Sequence, residues 1–356
     1  MAWGSRRFVA LVAVVLPLVA GAAACSNKPK LVASQRPVAS TSSSTAAPST
    51  TAEPTTTTAA PTTTEAPTTT APAAPQVVDL TQVDAKAVLT PGGILVPVLQ
   101  KQADGDLVQT PCGKTAVVAR GIPVDGTVVL DPGHGGKGEP GAQGPSGFLE
   151  KDLNWAVTNY TKDALEAAGV HVVMTRSGDY LTTLDTRAKI NAAINPKAFV
   201  SIHHNAEPDG PRDGPGSETY YQTVGTSAAQ SKRLAGLIYE EIVKALSQYQ
   251  GVAWVADTDA GAKYRKGSSG DDYYAVIRKT HGTPAALAEL GFISNPPEEA
   301  LYQQPAVQKV EGEAVAKGIM RFLTTTDPGS GFVEPYPRTE PAGGGGTGEG
   351  CTDPAL

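Results

Sequence analysis

The chain has 356 residues, of which 29 are Lys or Arg and 35 are Asp or Glu, giving a formal net charge of −6 at neutral pH. No cluster of basic residues stands out along it, which argues against a nucleic acid partner. The length alone would allow more than one domain, but two long stretches have a composition that does not support folding. The folded domains are therefore those that remain between these stretches.

The first residues of the chain are typical of an export signal. Arg6 and Arg7 precede an apolar stretch from Phe8 to about Ala20, and a Gly-Ala-Ala-Ala ending follows. This stretch is too short and wrongly flanked for a membrane-spanning helix. We therefore expect residues 1–24 to be a signal peptide. The mature protein is expected outside the cytoplasm, at the cell membrane, in the cell wall or in the periplasmic space.

Cys25 follows the signal segment directly. The junction resembles the lipobox of bacterial lipoproteins, in which this cysteine is acylated, although Ala22 stands where leucine is usual. The Ala-x-Ala ending would also suit ordinary signal peptidase, cleaving before the same cysteine. We favour a lipid anchor on Cys25, and a secreted chain without one is the alternative.

Residues 40–75 are almost wholly Ser, Thr, Ala and Pro, with two Glu and no large apolar residue. Such a segment buries too little apolar surface to offset the entropy of folding. Pro-rich chain is semi-extended at about 3.1 Å per residue, so this segment would reach on the order of 100 Å. We expect residues 25–76 to be a linker that carries a domain away from a membrane. Residues 327–356, rich in Gly and Pro, are expected to be poorly ordered.

The remaining chain begins with a small annex at residues 77–125. Its short apolar runs are separated by Asp-Gly and Pro-Cys-Gly turns, a pattern typical of small strands that are too few for an independent core. After Cys25, only Cys112 in the annex and Cys351 in the tail remain. In an oxidising compartment two leftover cysteines most simply pair, and two free thiols are the alternative.

From residue 126 the pattern changes to alternating strands and helices, which predicts an α/β domain over residues 126–326. Its sheet is expected to be twisted, mainly parallel and covered by helices on both faces. Ligands bind such sheets beyond the carboxyl ends of the strands. The predicted strands are 127–131, 170–175, 199–203, 218–222, 273–277 and 285–290, and the predicted helices are 151–168, 183–195, 227–246 and 306–323.

Several ends of these elements carry residues that could bind a metal ion or move a proton. His134 follows the first strand in a glycine-rich turn, and Glu150 opens the first helix. His203 and His204 close the third strand, where consecutive residues point to opposite faces, so at most one of them is expected to be a ligand. Glu289 lies inside an apolar strand, where an unpaired charge is costly, so it should be paired or functional.

Two imidazoles and one carboxylate are the ligand set of a hydrolytic zinc ion, with a fourth position left for water. A further carboxylate could take a proton from that water. The chain has no His-Glu-x-x-His sequence and no zinc-binding cysteine pair, which excludes a zincin and a structural zinc knuckle. Other interpretations stay open at this point: a simple turn histidine at 134, and a surface acid at 150 favoured by the helix dipole.

Six segments in order resemble the zinc-dependent N-acetylmuramoyl-L-alanine amidases, a family of bacterial cell-wall enzymes, over roughly residues 127–323. They are Leu130-Asp-Pro-Gly-His-Gly-Gly, Gly147-Phe-Leu-Glu-Lys-Asp-Leu-Asn, Thr175-Arg-Ser-Gly-Asp, Thr186-Arg-Ala-Lys-Ile-Asn, Ser201-Ile-His-His-Asn-Ala and Pro284-Ala-Ala-Leu-Ala-Glu-Leu-Gly-Phe-Ile-Ser-Asn. The resemblance implies a twisted sheet between helices, in agreement with the alternation of elements.

The resemblance also implies roles for individual residues. It places the three ligands of one zinc ion per domain on His134, Glu150 and His203, and the catalytic glutamate on Glu289. His204 stands where many members have alanine, and its role stays open.

The implied reaction is hydrolysis of the amide between N-acetylmuramic acid and L-alanine in peptidoglycan, in cell-wall remodelling or muropeptide recycling. We expect a monomer whose partner is peptidoglycan or a muropeptide, with membrane anchoring through Cys25. Two other functions are considered. A zinc peptidase or deacetylase acting on another wall component would use the same ligand set. A non-catalytic wall-binding lipoprotein would keep the fold, but the presence of Glu150 and Glu289 argues against it.

Overall fold

The computed structural model describes residues 86–119, 121–207, 216–255, 260–335, 341–342, 348 and 350–356. The predictions for the signal peptide, for Cys25 and for the linker fall outside these residues, as does the start of the annex. All described residues belong to the compact unit Ala73–Leu356. Within the described ranges, no helix combines the length and the apolar character needed to cross a membrane.

The annex is a five-stranded antiparallel sheet with the strand order β4-β3-β2-β1-β5. The prediction of short strands is confirmed. Tyr180 of the larger domain packs into the small apolar cluster of this sheet, so the annex shares its core with that domain. The strands are β1 (Ala87–Leu89), β2 (Leu95–Gln102), β3 (Gly105–Gln109), β4 (Thr115–Val118) and β5 (Ile122–Pro123).

The larger domain is built on a six-stranded sheet with the order β10-β9-β11-β8-β6-β7. Four neighbouring strands run parallel, and the two at one edge run the other way, which confirms the mainly parallel sheet. The parallel strands are β6 (Val128–Pro132), β7 (Val172–Met174), β8 (Ala198–Asn205) and β11 (Ala285–Phe292). The reversed strands are β9 (Glu218–Tyr221) and β10 (Gly261–Lys263).

Helices cover both faces of this sheet, as predicted. On one face the apolar core is shared with α1 (Glu150–Ala167), α3 (Ala228–Leu246) and α6 (Pro305–Thr324). On the other face it is shared with α2 (Leu184–Ile194) and the short α4 (Ala275–Arg278). The seven-residue α5 (Pro296–Tyr302) follows β11 and packs against the end of that strand.

Helix α1 forms because its apolar residues recur at helical spacing. Leu153, Val157 and Leu165 are fully buried on the sheet side. The helix ends before Gly169, whose φ of 81° is a left-handed conformation that glycine adopts without strain. At its other end, the first turn delivers Glu150 to the carboxyl edge of the sheet.

One predicted strand is wrong. Residues 273–277 were expected to pair in the sheet, but Ala275–Arg278 forms helix α4, with the N–H of Lys279 donating to the Ala275 carbonyl at 2.9 Å. A short apolar run does not distinguish a buried strand from a buried helical turn. The edge position is held instead by β10, whose Gly-Ala-Lys sequence lacks β-branched residues and gives no strand signal.

The end of the chain is tied to the annex. Cys112 and Cys351 form a disulfide bond, with their Cα atoms 5.6 Å apart, which confirms the predicted pairing. The backbone N–H of Cys112 donates to Asp353 Oδ1 at 2.8 Å, and Leu356 packs against the annex core. Residues 350–356 therefore have defined contacts, in contrast to the poor order expected for the whole tail.

Candidate metal centre

His134 lies in the turn that follows β6, at the carboxyl edge of the sheet. Its φ angle is 60°, in the left-handed region that residues other than glycine seldom adopt. The preceding Gly133 leaves no room for a side chain, because a Cβ atom there would lie 2.3 Å from the His203 ring. This close approach brings the two imidazoles together, with ring centroids 4.8 Å apart.

Two buried arginines hold the turn in this conformation. The Arg187 guanidinium donates to the carbonyl oxygens of Pro132 at 2.9 Å and His134 at 2.8 Å, and it pairs with the Asp131 carboxylate. Arg176 Nε also donates to the Pro132 carbonyl at 3.1 Å. Unfavourable backbone conformations persist only when the surrounding structure over-determines them, and these hydrogen bonds meet that requirement.

Asp131 is the anion of this arrangement. It is buried and accepts hydrogen bonds from Thr175, from Ser201 at 2.6 Å and from Arg187. Burial alone would raise its pKa, but the Arg187 charge and the hydrogen bonds outweigh burial and keep the pKa below its ordinary value. Asp131 is therefore a fully partnered carboxylate at the base of the histidine turn.

Glu150 projects from the first turn of α1 into the space between two histidines. Its Oε2 lies 3.1 Å from His134 Nε2, and its Oε1 lies 3.0 Å from His203 Nδ1. The backbone N–H of Ala142 donates to Oε2 at 2.8 Å. One ligand atom from each of His134, Glu150 and His203 lies within 4.8 Å of the others. The three side chains could hold a divalent metal ion.

The electrostatics of this cluster suit a cation. Burial opposes the charge of Glu150, but His134 and His203 outweigh it and hold the pKa of this carboxyl well below its ordinary value. Burial likewise opposes the charge of His134, and the carboxylates of Glu150 and Glu139 overcome it, raising the pKa of His134 to about 10. For His203 burial prevails, and its pKa is lowered. At neutral pH a proton on His134 therefore balances Glu150, and a bound metal ion would replace that proton.

Glu289 lies next to these residues in the sheet. Its register pairs it with His203 of β8 on one side and with Glu218 of β9 on the other, so the three side chains share one face. The Glu289 side chain is buried, and its Oε2 has no hydrogen-bond partner among the described residues. Burial, together with the charges of Glu150 and Glu218, raises the pKa of Glu289 well above its ordinary value. Such a carboxyl is suited to exchanging a proton with a bound substrate.

His204 points to the opposite face of β8, as the alternation of strand residues predicts. Its Nδ1 lies 2.8 Å from Asn154 Oδ1, and its Nε2 lies 3.4 Å from Glu311 Oε1. Asn154 in turn donates to Glu150 Oε1 at 3.1 Å. The His204 side chain therefore reaches Glu150 only through Asn154 and stands outside the ligand cluster.

The interpretation of the sequence missed a second buried group beside Glu289. Glu218 accepts from Lys263 Nζ at 2.6 Å, from Asn205 Nδ2 at 3.0 Å and from the Tyr220 hydroxyl at 2.9 Å. The available signal was weaker than for Glu289, because Glu218 is the first residue of its predicted strand and polar residues precede it. A carboxylate there is costly only if the strand end is buried.

Comparison with known proteins assigns the chain to a protein family. A family model described as N-acetylmuramoyl-L-alanine amidase matches residues 128–321, from β6 into α6. The chain belongs to this family. This match confirms the predicted enzyme class, an amidase. The matched residues include neither the annex nor the tail.

Individual relatives of this amidase are similar over the same region. Uncharacterized protein YqiI of Bacillus subtilis is 33% identical over 214 residues, covering 60% of this chain and 90% of that protein. Probable cell wall amidase LytH of Staphylococcus epidermidis is 31% identical over 207 residues, covering 56% of this chain and 59% of that protein. The solved N-acetylmuramoyl-L-alanine amidase AmiC2 of Nostoc punctiforme is 31% identical, with a TM-score of 0.46, covering 56% of this chain and 99% of that one.

We expect Asp131→Asn to destabilise the amidase domain by about 3–5 kcal/mol, because it leaves the Arg187 charge buried without its partner. Urea unfolding followed by circular dichroism measures the change. Lys162→Met is the matched control, since it removes an exposed pair with Glu166 that contributes less than about 1 kcal/mol. If both variants lost equally little free energy of unfolding, the role given to Asp131 would be contradicted.

Proposed function

We propose that the protein is a zinc-dependent hydrolase of the amide between N-acetylmuramic acid and L-alanine in peptidoglycan. The metal ligands are His134, Glu150 and His203. The observation that carries the proposal is the cluster of three ligand atoms within 4.8 Å of one another, with Glu289 beside it in the sheet. Membership of the amidase family supports the amide as the bond that is cleaved.

The residues present fit zinc. Two imidazole nitrogens favour zinc over magnesium or calcium, which prefer oxygen ligands, and three protein ligands leave the open position of a catalytic site. Gly141 also allows the close approach of its loop, because a Cβ atom there would lie 2.5 Å from Glu150 Oε2. On the outer side of His134, Nδ1 lies 3.6 Å from Glu139 Oε1 and makes no hydrogen bond to the described residues. A small approach of Glu139 would supply the carboxylate that commonly orients a zinc-bound histidine.

When bound, a zinc ion supplies a Lewis acid that polarises the scissile carbonyl and lowers the pKa of water. The chain supplies the proton transfers. Glu289 accepts the proton of the attacking water at its unpartnered Oε2 and delivers it to the departing nitrogen of L-alanine. Its burial keeps competing solvent away from this oxygen. The Asp131–Arg187 pair keeps His134 in position throughout.

Loss of a ligand should abolish metal binding. We expect the zinc content after dialysis to fall from one ion per chain in the wild type to nearly none in His134→Ala, because only two of three donors remain. Elemental analysis measures the zinc content, and circular dichroism checks the fold. Glu313→Gln, on an exposed part of α6, removes a carboxylate elsewhere and should keep its zinc. Full zinc content in His134→Ala would exclude this residue as a ligand.

Glu289→Gln should lower kcat by about 10²- to 10⁴-fold, because the amide keeps the size of the side chain but cannot accept the proton. Its zinc content should stay unchanged. The assay is digestion of purified peptidoglycan with and without a chelator, with the products identified by mass. Turnover retained by Glu289→Gln would remove this residue from the mechanism. Cleavage of a peptide bond, or deacetylated sugars, would instead support the alternative zinc peptidase or deacetylase.

We further propose that the chain is exported and held at the membrane by an acylated Cys25. The apolar signal segment and the junction at Ala22 to Cys25 support this location. The disulfide bond between Cys112 and Cys351 also suits an oxidising compartment. From that anchor the Thr- and Pro-rich linker would let a monomeric amidase domain reach the peptidoglycan above the membrane.

Cys25→Ser should move the protein from the membrane fraction to the soluble fraction, because the variant has no thiol to acylate. Fractionation of the expressing cells measures this, and Ser26→Ala is the control that should stay at the membrane. The mass of the mature N-terminal peptide shows directly whether Cys25 is acylated. An unmodified Cys25 in that peptide would show a secreted chain cleaved by ordinary signal peptidase.

A further inference from the structure

We propose that Arg265 binds a carboxylate of the stem peptide, on the leaving-group side of the scissile amide. This inference rests on the proposed function and adds to it the charge that the site selects in its substrate. It would make Arg265 a specificity-determining residue of the amidase.

Arg265 differs from the other arginines that the structure describes. Five of the six donate to carboxylate or carbonyl oxygens of the protein: Arg176, Arg187, Arg233, Arg278 and Arg321. Arg265 has neither kind of acceptor among the described residues. Its Nη1 donates to the Tyr274 hydroxyl at 3.1 Å, and its Nε is enclosed without a partner. Within the described part of the chain, this half-buried guanidinium is thus left without a counter-charge.

Two aromatic rings hold this guanidinium in place. Its central carbon lies 3.8 Å from the ring centroid of Tyr273 and 5.5 Å from that of Tyr274. The backbone is fixed as well, because the N–H of Tyr273 donates to the Arg265 carbonyl at 2.7 Å. Stacking orients a guanidinium plane while leaving donors available, which suits the recognition of a planar carboxylate.

Tyr274 connects Arg265 to the catalytic row of the sheet. Its ring centroid lies 4.7 Å from that of Tyr220, whose hydroxyl donates to Glu218, and Glu218 is in register with Glu289. Burial and the nearby Glu289 carboxylate raise the pKa of Tyr274 to about 12, so this tyrosine stays neutral and does not balance the Arg265 charge. Arg265 therefore lies beyond Glu218 in this row, toward the β10 edge of the sheet and away from His134.

The chemistry of the substrate determines which of its groups the Arg265 guanidinium can bind. The N-acetylated sugars of the glycan carry no charge, and the lactyl carboxyl is consumed in the scissile amide. The carboxylates belong to the stem peptide, which leaves with its amine. Because Glu289 delivers a proton to that amine, the peptide lies on the Glu289 side of the metal ligands, toward Arg265.

A binding experiment on the mature chain tests this without requiring turnover. The probes are L-alanyl-D-glutamate and its diamide, in which both glutamate carboxyl groups are amides, with binding measured by calorimetry. We expect the wild type to bind the charged dipeptide about 10- to 100-fold more tightly. Arg265→Met should lose this preference, and Arg265→Lys should keep part of it. Lys266→Met, which removes the exposed neighbouring cation, should bind as the wild type does.

Kinetics on the matching N-acetylmuramoyl substrates gives the second readout. Arg265→Met should lower kcat/KM for the charged substrate by the same 10- to 100-fold and leave the neutral substrate unaffected. Equal losses on both substrates, or a wild type that binds both dipeptides alike, would overturn the proposal. A wild type that cleaves neither substrate but binds the charged dipeptide through Arg265 would contradict the amidase function alone.

Discussion

The buried pair of Asp131 and Arg187 is the interaction on which the candidate metal centre depends. Asp131 is the penultimate residue of β6 and Arg187 belongs to α2, and their side chains are 1% and 3% exposed. Because Arg187 also binds the His134 carbonyl, the pair joins strand, helix and turn into one unit. A buried ion pair is seldom more stable than well-packed apolar residues of the same size. Here it holds a backbone conformation that a histidine would not otherwise adopt.

Strand order does the rest of the assembly. Because β6, β8 and β11 are neighbours, the turn with His134, the strand end with His203 and the carboxyl of Glu289 meet at one edge. Glu150 enters from the start of α1, where the helix dipole favours a carboxylate. Each element contributes one group to the site. The antiparallel β9 then extends the row from Glu289 to Glu218, away from the candidate ligands.

Much of this arrangement could be predicted from the sequence. Periodicity shows which faces of a helix or strand are buried. An isolated acid in an apolar strand must be paired or functional, because burying it unpaired costs free energy. Alternation showed that His203 and His204 face opposite ways, but not which face carries Glu150, since that depends on how α1 packs. The strand expected at 273–277 failed for a similar reason, as neighbours in space decide between helix and strand for so short a run. The pair of Glu218 and Lys263 joins residues far apart in sequence and needed the fold to be seen.

The left-handed backbone at His134 carries a conformational cost that the side chain of the same residue offsets. A glycine there would relieve about 1–2 kcal/mol of conformational strain and would leave the carbonyl that Arg187 binds in place. It would also leave the buried Glu150 without the imidazole that holds its pKa low, and removing one partner of a buried charge pair costs about 3–5 kcal/mol. A redesign that considered only the backbone angle would therefore lose a candidate ligand and destabilise the fold in the same step.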